Sequence, residues 1–452
     1  MLYDVLGVGF GPANIALAVA GEEQKIPGVT MRFLEAQKDP VWQGGMLLDG
    51  SNIQNHPCRD LVSLRNPRSR YTFINYLFEE GRLLAHLNLP DEFPLRKEYA
   101  QYIAWVSGKM SHMVDFGVRV QTVRLTAHRE MPVYEVKTTD GARYLGRSLV
   151  IGPGRTPYVP PPFDSVKSSH VIHLTEYLPR VRELERAGGV NSVVVIGGSQ
   201  SSVELVLDLA KRFPRARVTN YVRSFGLRLK DTSPFSEEGF FPDYTAYYYR
   251  SSRESKRKLD SYMRPTNYSS VDDDVLHELY RMIYEQRLDG HQRVFVRGNQ
   301  QVNAISLTGG KVELSISDVH TGDREYDAVD LVVLATGFRD LGPEPHQEAY
   351  PRLLADVIDN FEFDKEGYLE VSEDYRLVPQ REGIPPIFLN GLCESTHGIG
   401  DSGSFSLLSL RTAAIHGALS SCLPQMNHHR GLQSASASAG IPAPGAAVRD
   451  DG

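Results

Sequence analysis

The sequence predicts an α/β protein with two dinucleotide-binding, Rossmann-like domains, the first interrupted by the second, and a small helical segment beside them. Residues 3–20 and 192–202 each read as an apolar strand, a glycine-containing turn and the start of a helix, which is how a nucleotide-binding βαβ unit begins. A third apolar strand, residues 331–334, follows much later. The 452 residues suffice for two to three domains, and a hydrophobic content of 41% supports a large core.

The composition argues against several classes of protein. Lys plus Arg number 49 and Asp plus Glu 56, so the net charge of −7 disfavours nucleic acid or an anionic membrane as the main partner. Three cysteines, Cys58, Cys393 and Cys422, form no CxxC pair, so we predict neither a disulfide scaffold nor a dithiol centre nor a metal site. No apolar run approaches the roughly 20 residues of a membrane helix. Met1 leads straight into a strand without the basic segment of a signal peptide, so we expect a cytoplasmic protein.

The first glycine turn has the pattern of a dinucleotide fingerprint. Gly7 allows the tight turn after the strand, and Gly9 lets the backbone approach a pyrophosphate. Gly11 and Pro12 open the helix, whose unpaired N–H groups attract an anion. Glu35 ends the next strand, where a carboxylate accepts hydrogen bonds from a ribose. These five residues predict a dinucleotide site.

The second turn repeats this geometry, but the residue after the following strand is not a carboxylate. Gly198, Ser199, Gln200 and Ser201 follow the second strand, with serines in place of the later glycines. Arg223 stands after the next strand, where NADH-binding proteins carry a carboxylate. Because an arginine there favours a 2′-phosphate, this unit predicts NADPH; the alternative is an ordinary solvated charge.

Segments rich in glycine and proline suggest the domain boundaries. Glycines and prolines between residues 152 and 162 mark a crossover, and an apolar helix is expected from about residue 405 to 422. The two nucleotide-binding βαβ units and the strand at residues 331–334 together match the domain organisation of flavoproteins that bind FAD and NADPH. The predicted parts are an FAD domain (1–160 and 331–424), an NADPH domain (161–225 and 296–330), a substrate-binding segment (226–295) and a disordered tail (425–452).

Several longer stretches resemble one family, the flavin-dependent N-hydroxylating monooxygenases that include L-ornithine and L-lysine N-monooxygenases of siderophore assembly. Together they are far more specific than any single glycine motif, and they are spread over most of residues 1–420. The stretches are GVGFGPANIAL (7–17), WQGGM (42–46), IQNHPCRDLVSLRNPRSRYTFINYL (53–77), GGSQSSVE (197–204), DTSPF (231–235), TNY (266–268), ATGF (335–338) and HGIGD (397–401).

The resemblance implies FAD and NADPH as cofactors and a primary amine and O₂ as substrates. NADPH would reduce FAD, O₂ would add to give a C4a-hydroperoxyflavin, and the distal oxygen would pass to the lone pair of a neutral amine. An alkylammonium has a pKa of roughly 10, so the pocket must favour its deprotonated form. The product would enter siderophore or related natural-product biosynthesis, and a homo-oligomer, dimer or tetramer, is expected.

The resemblance also implies roles for individual residues. Residues expected at the flavin are Trp42, Gln43, Met46, Gln54, Arg96, Thr336 and Asp401, in addition to the first glycine turn and Glu35. Ser199, Gln200, Ser201 and Arg223 correspond to the NADPH contacts. The substrate would meet Arg59, Glu237, Asn267 and Ser406, and Asn267 and Gln54 would take part in catalysis.

The substrate residues depart from the ornithine pattern, which leaves two interpretations open. Arg59 stands where a lysine pairs the substrate carboxylate, and Glu237 where an asparagine also holds it. Either Arg59 and Glu237 pair with each other and an amino acid still binds, or Glu237 receives the second ammonium of a diamine such as putrescine or cadaverine. Alternatives to N-hydroxylation are a carbon- or sulfur-oxygenating flavin monooxygenase and a non-catalytic flavin redox sensor.

Overall fold

The computed structural model describes residues 1–39 and 41–437. The strands are β1 (Leu2–Tyr3), β2 (Val5–Val8), β3 (Met31–Glu35), β4 (Val114–Phe116), β5 (Val120–His128), β6 (Met131–Thr138), β7 (Arg143–Gly146), β8 (Leu149–Ile151), β9 (Val171–His173), β10 (Ser192–Ile196), β11 (Arg217–Tyr221), β12 (Val294–Arg297), β13 (Gln300–Thr308), β14 (Lys311–Asp318), β15 (Arg324–Val329), β16 (Leu331–Leu334) and β17 (Ile387–Leu389). The α-helices are α1 (Pro12–Glu23), α2 (Phe73–Glu79), α3 (Leu83–Leu87), α4 (Arg96–Lys109), α5 (Tyr177–Arg186), α6 (Gln200–Arg212), α7 (Pro234–Glu237), α8 (Pro242–Arg250), α9 (Arg253–Asn267), α10 (Asp273–Leu288), α11 (Glu394–His397) and α12 (Leu408–Ala437).

Two parallel five-stranded sheets form the centres of two Rossmann-type domains. The first sheet has the order β17-β8-β2-β3-β4, and the second has the order β12-β11-β10-β16-β9. All neighbouring strands within these two sheets run parallel. Their short apolar strands are buried because helices and the smaller sheets cover them, as parallel sheets require. The predicted fold class is therefore confirmed.

Two smaller sheets accompany the parallel ones. Strands β1-β7-β6-β5 form a four-stranded sheet, in which only the β1–β7 pair is parallel. Strands β13-β14-β15 form an antiparallel sheet whose apolar face packs on the second domain through Val312, Leu314 and Ile316. None of the helices in the described residues is long and apolar enough to cross a membrane.

Strand β16 lies in the second sheet, whereas the sequence predicts its segment, 331–424, in the first domain. Leu331 pairs with Val193 of β10, and Val332 pairs with Val171 of β9. The chain returns to the first domain only afterwards, where β17 pairs with β8. A fully apolar strand fits the centre of either sheet, so its own side chains do not identify its neighbours.

The expected substrate segment, residues 226–295, divides between the two domains. Helix α10 packs on α6 of the second domain, where Leu279 and Ile283 join the same core as Val203. Helix α9 contacts the first domain instead, through the Lys256 ammonium, which donates to the Thr396 carbonyl at 3.2 Å, and through an ion pair between Arg253 and Asp364.

The last helix is longer than predicted. It ends at Ala437 and not near Cys422. Residues 438–452, the larger part of the tail predicted to be disordered, lie outside the described residues.

Candidate active site

A cavity of about 360 Å³ opens at the carboxyl edge of the first sheet, against the N-terminus of α1. Gly9, Gly11 and Pro12 form one wall. Gly11 precedes the helix and Pro12 is its first residue, so the free N–H groups of α1 face this space. A Cβ at Gly11 would meet nothing within 4 Å, which is the open approach that a pyrophosphate needs.

Gly9 lines the cavity and also has a role in packing. Its φ of +83° lies in the left-handed region, and a Cβ there would come within 2.6 Å of the Gly152 carbonyl oxygen. Gly9 therefore allows the turn to pack against the next crossover, whereas Gly11 leaves room for the ligand. Gly7 packs on the Phe33 ring, which a Cβ would overlap.

Glu35 lines the same cavity, as the sequence predicts. Its Oε2 accepts a hydrogen bond from the Phe10 amide at 2.7 Å, and its Oε1 accepts one from Gln37 at 2.8 Å. Each carboxylate oxygen can accept a second bond. The main chain thus orients Glu35 toward the cavity and leaves it able to accept from a ribose.

Arg411 of α12 also lines the cavity and was missed by the sequence analysis. Its Nη1 lies 2.9 Å from Asp401 Oδ1, and its Nε donates to Asn390 at 2.9 Å; Asp401 and Arg411 are almost completely buried. Asp401, expected at the flavin, stands behind Arg411 and not among the cavity residues. The sequence feature that could have indicated Arg411 is that it is the single arginine in a helix otherwise predicted to be apolar.

The loop that follows β3 contributes an aromatic wall. Trp42 and Gln43 line the cavity, and Gln43 adopts a positive φ of 51°. The Trp42 ring packs edge-on against Phe405, with centroids 5.2 Å apart, and Tyr99 lies behind both rings. These rings form an apolar wall on this side of the cavity.

Three further residues expected at the flavin contact the second domain. Met46 is buried in the core of the second domain. Arg96 forms a buried, bidentate ion pair with Glu204 of α6, at 2.8 and 2.9 Å. The Gln54 amide donates to Asp272. None of the three is among the residues that line the first cavity, because the loop carrying Met46 and Gln54 turns away to pack on the second domain.

A second cavity of about 880 Å³ lies at the carboxyl edge of the second sheet. Gly198, Ser199 and Arg223, which the sequence predicts at NADPH, line it. Thr336, expected at the flavin, lines this cavity because β16 belongs to the second sheet. Arg228 also lines it and was not predicted; across the described part of the chain, neither Arg223 nor Arg228 forms an ion pair.

Gln200 and Ser201 are not among the residues of the second cavity. The Gln200 side chain accepts from the Asp272 amide at 2.9 Å and donates to Glu204 Oε1 at 3.1 Å. Its hydrogen-bonding groups are thus committed to protein partners.

Three of the four predicted substrate residues come together. Arg59 Nη1 lies 3.4 Å from Glu237 Oε2 and donates to Ser406 Oγ at 3.1 Å. Ser406 is joined by a 2.9 Å hydrogen bond to Ser404, which lines the first cavity. The fourth residue, Asn267, ends α9, and its side chain makes no hydrogen bond within the described residues.

A buried ionic cluster connects the walls of the two cavities. Glu394 accepts hydrogen bonds from Tyr268 at 2.8 Å and from Arg264 at 2.7 Å, and Arg155 reaches both Glu394 and Asp340. Burial raises the pKa of Glu394 to about 7, although the two arginines oppose that shift. Tyr268 lines the second cavity and its hydroxyl lies against Gly403 of the first, so this residue, next to Asn267 in the chain, contacts both cavities.

No group of three or more His, Cys, Asp and Glu side chains within the described residues could hold a metal ion. His397 is buried and stacked on Tyr375 at 4.1 Å, and burial lowers its pKa to about 4. Cys58 is exposed and Cys393 is buried, and neither is paired with another cysteine.

Residues 1–340 match the family model described as L-lysine 6-monooxygenase/L-ornithine 5-monooxygenase. The chain belongs to this family. An L-ornithine N(5)-monooxygenase of Burkholderia cepacia is 35% identical over 408 residues, covering 88% of this chain and 90% of the relative. A putrescine N-hydroxylase of Shewanella oneidensis is 28% identical over 88% of this chain and 77% of its own length.

A solved family member has the same fold. The ornithine N-hydroxylase of Kutzneria sp. 744, with reduced FAD, NADP⁺ and L-ornithine, superposes with a TM-score of 0.85 at 31% identity, over 93% of this chain and 99% of that one. This family member is therefore an FAD- and NADPH-dependent N-monooxygenase that hydroxylates a primary amine. Family membership decides against the carbon- or sulfur-oxygenating and the sensor alternatives, which the geometry alone does not separate.

Proposed function

We propose that this monooxygenase hydroxylates the side-chain amine of an α-amino acid of the ornithine type. The observation that carries the proposal is the cluster of Arg59, Glu237 and Ser406 at the edge of the first cavity. In it, Arg59 binds the α-carboxylate and Glu237 binds the α-ammonium group of the same substrate.

The Arg59–Glu237 pair is open enough to accept such a head group. The two side chains are 27% and 30% exposed, and the contact between them is a single one of 3.4 Å. In the side-chain hydrogen bonds of the described residues, Arg59 uses only Nη1 and Glu237 only Oε2. The other nitrogens of Arg59 can donate to a carboxylate, while Glu237 Oε1 can accept from an ammonium.

A diamine fits this cluster less well. Its second ammonium would meet Glu237 but also the positive charge of Arg59, and it offers nothing to the Arg59 donors. The Glu237 carboxylate and the likeness to a putrescine N-hydroxylase nevertheless make a diamine the second candidate. The two candidates differ in whether Arg59 contributes to binding.

We assign FAD to the first cavity and NADPH to the second. The wall of Gly9, Gly11 and Pro12, with Glu35 and Arg411, would hold the pyrophosphate and ribose of FAD. Gly198 and Ser199 would hold NADPH, with Arg223 and Arg228 at its 2′-phosphate. Bound FAD supplies the redox chemistry that carries electrons from NADPH to O₂.

The residues of the chain then prepare the amine. The apolar Trp42–Phe405 contact lowers the local polarity on this side of the first cavity, and burial of an ammonium there favours the neutral amine. Asn267 is our proposed catalytic contact to that amine because its side-chain amide makes no hydrogen bond within the described residues and its neighbour Tyr268 contacts both cavities. Gln54 is engaged by Asp272, so we assign it a positioning role.

Three amines test the proposal. Putrescine is ornithine without the carboxylate, and 5-aminopentanoate is ornithine without the α-ammonium. Each lost charge-assisted contact removes about 1.5–3 kcal/mol, so kcat/KM for either analogue should fall about 10- to 100-fold below that for L-ornithine. The hydroxylamine formed is quantified for each. Putrescine turning over at least as well as ornithine would overturn the proposal in favour of a diamine.

The expected homo-oligomer and the cytoplasmic location remain predictions. Sedimentation velocity of the FAD-loaded protein tests the first, and fractionation of the source cells tests the second.

A further inference from the structure

A chain of buried polar contacts joins the two domains beside their cofactor cavities. The Arg96–Glu204 ion pair is its centre; these side chains are 9% and 7% exposed. Arg96 is the first residue of α4 in the first domain, and Glu204 lies one turn into α6, the helix that begins at the second glycine turn.

Arg96 also holds the loop that follows Trp42 and Gln43. Its Nη1 donates to the Met46 carbonyl at 2.9 Å, and its Nη2 donates to the Asn52 carbonyl at 3.1 Å. One guanidinium therefore binds two points of this loop and both carboxylate oxygens of Glu204. A shift of α6 is transmitted directly to the loop.

The other end of the loop is tied to the same helix. Gln54 donates to the Asp272 carboxylate, and the Asp272 amide donates to Gln200. Gln200 in turn donates to Glu204. Close packing reinforces the connection, because Gly45 lies against the Thr175 carbonyl with no room for a Cβ.

We propose that Glu204 is a positioning residue that fixes the NADPH-binding helix relative to the flavin-side loop, residues 42–54, and thereby sets the approach of the nicotinamide to the flavin. The proposal rests on the assignment of FAD and NADPH to the two cavities. Hydride transfer depends steeply on distance, and a displacement of about 1 Å can cost about 100-fold in rate. Glu204 acts through Arg96 and Gln200 and touches neither cavity.

The test uses Glu204→Gln, with Glu23→Gln as the matched control. Glu23 pairs with the buried Arg65, 2.6 Å away, inside the first domain, so the control makes the same chemical change in a pair that does not join the domains. Two quantities are measured without any amine: the rate of flavin reduction by NADPH, and hydrogen–deuterium exchange of the amides of residues 44–54. Reduction by dithionite reports on the flavin itself.

We expect Glu204→Gln to slow reduction by NADPH about 10- to 100-fold, to leave reduction by dithionite unchanged, and to speed exchange in residues 44–54. Glu23→Gln should change neither. A double variant, Arg96→Gln with Glu204→Gln, removes both buried charges and should regain thermal stability without regaining the reduction rate.

Wild-type reduction rates and exchange in Glu204→Gln would overturn the proposal, and so would recovery of the reduction rate in the double variant. Since no amine enters these measurements, failure of the ornithine assignment would leave their outcome unaffected.

Discussion

Arg59 Nη1 and Ser406 Oγ lie 3.1 Å apart across a sequence separation of 347 residues. The contact joins the loop after the first glycine unit to the loop that precedes α12. Glu237, from the segment between the two nucleotide domains, completes the group. The proposed head-group site thus draws on three distant parts of the chain.

Replacing Arg59 should change the preference between amines. In Arg59→Gln, ornithine loses a charge-assisted contact to its carboxylate, so KM for ornithine should rise about 10- to 100-fold. KM for putrescine should fall, because Glu237 is freed for an ammonium group. Hydroxylamine formation from both amines measures this. Arg68→Gln, at an exposed arginine nearby, should alter neither, and an equal loss for both amines in Arg59→Gln would contradict the assigned role.

Arg223→Ala should reduce the preference for NADPH over NADH. The 2′-phosphate contact is made equally in the ground and transition states, so KM for NADPH should rise about tenfold or more while kcat changes little. KM for NADH should stay constant. Steady-state oxidation of both nucleotides checks this against Arg186→Ala, an exposed arginine at the end of α5. Equal use of both nucleotides by the wild type would remove the basis for this role.

Substitutions of Gly11 and Gly7 in the first turn should affect FAD binding and protein stability separately. Gly11→Ala places a methyl group in open space, so the cofactor-free protein should keep its thermal midpoint, while the affinity for FAD falls. Gly7→Ala collides with the Phe33 ring and should lower the midpoint itself. Calorimetry of the cofactor-free protein and FAD titration measure the two effects. Tight FAD binding by Gly11→Ala would contradict the position given to the pyrophosphate.

His397 should make the protein sensitive to acid. Burial lowers its folded-state pKa from 6.5 to about 4, so the unfolded chain binds the proton first as the pH falls between these values. The contribution of the neutral imidazole to the free energy of unfolding is fully present above pH 6.5. It is lost as the pH falls toward 4, which lowers that free energy by an amount on the order of 3 kcal/mol. Urea unfolding across this range should show that loss in the wild type and in His291→Asn, an exposed site. His397→Asn should have a lower free energy of unfolding at pH 7, but that free energy should not show the His397-dependent decrease toward pH 4. A decrease as large as that of the wild type would contradict a buried, neutral His397.

Local chemistry explains why the two glycine turns could be predicted. A left-handed glycine, a proline at the first helical position and an acid at the end of the next strand are requirements of a few neighbouring residues, and Gly9, Pro12 and Glu35 meet them in order. Arg223 was predictable for the same reason, because its place is fixed by the strand before it.

Local sequence did not predict the contacts of Arg96, Thr336 and Asp401. Each has a conspicuous place in a motif, yet its partner is a distant residue or strand: Glu204 for Arg96, the second sheet for Thr336, and Arg411 for Asp401. An arginine has the same local sequence whether it faces a phosphate or a buried carboxylate.

The sequence by itself therefore determined the two nucleotide-binding units, the cofactor type and the family, since these depend on short-range geometry and on motifs. Only the tertiary structure decided which sheet receives β16, which residues face each cavity, and that Arg59 contacts both Glu237 and Ser406. Those outcomes follow from packing between segments far apart in the chain, where burial and charge pairing select among arrangements that local sequence allows equally.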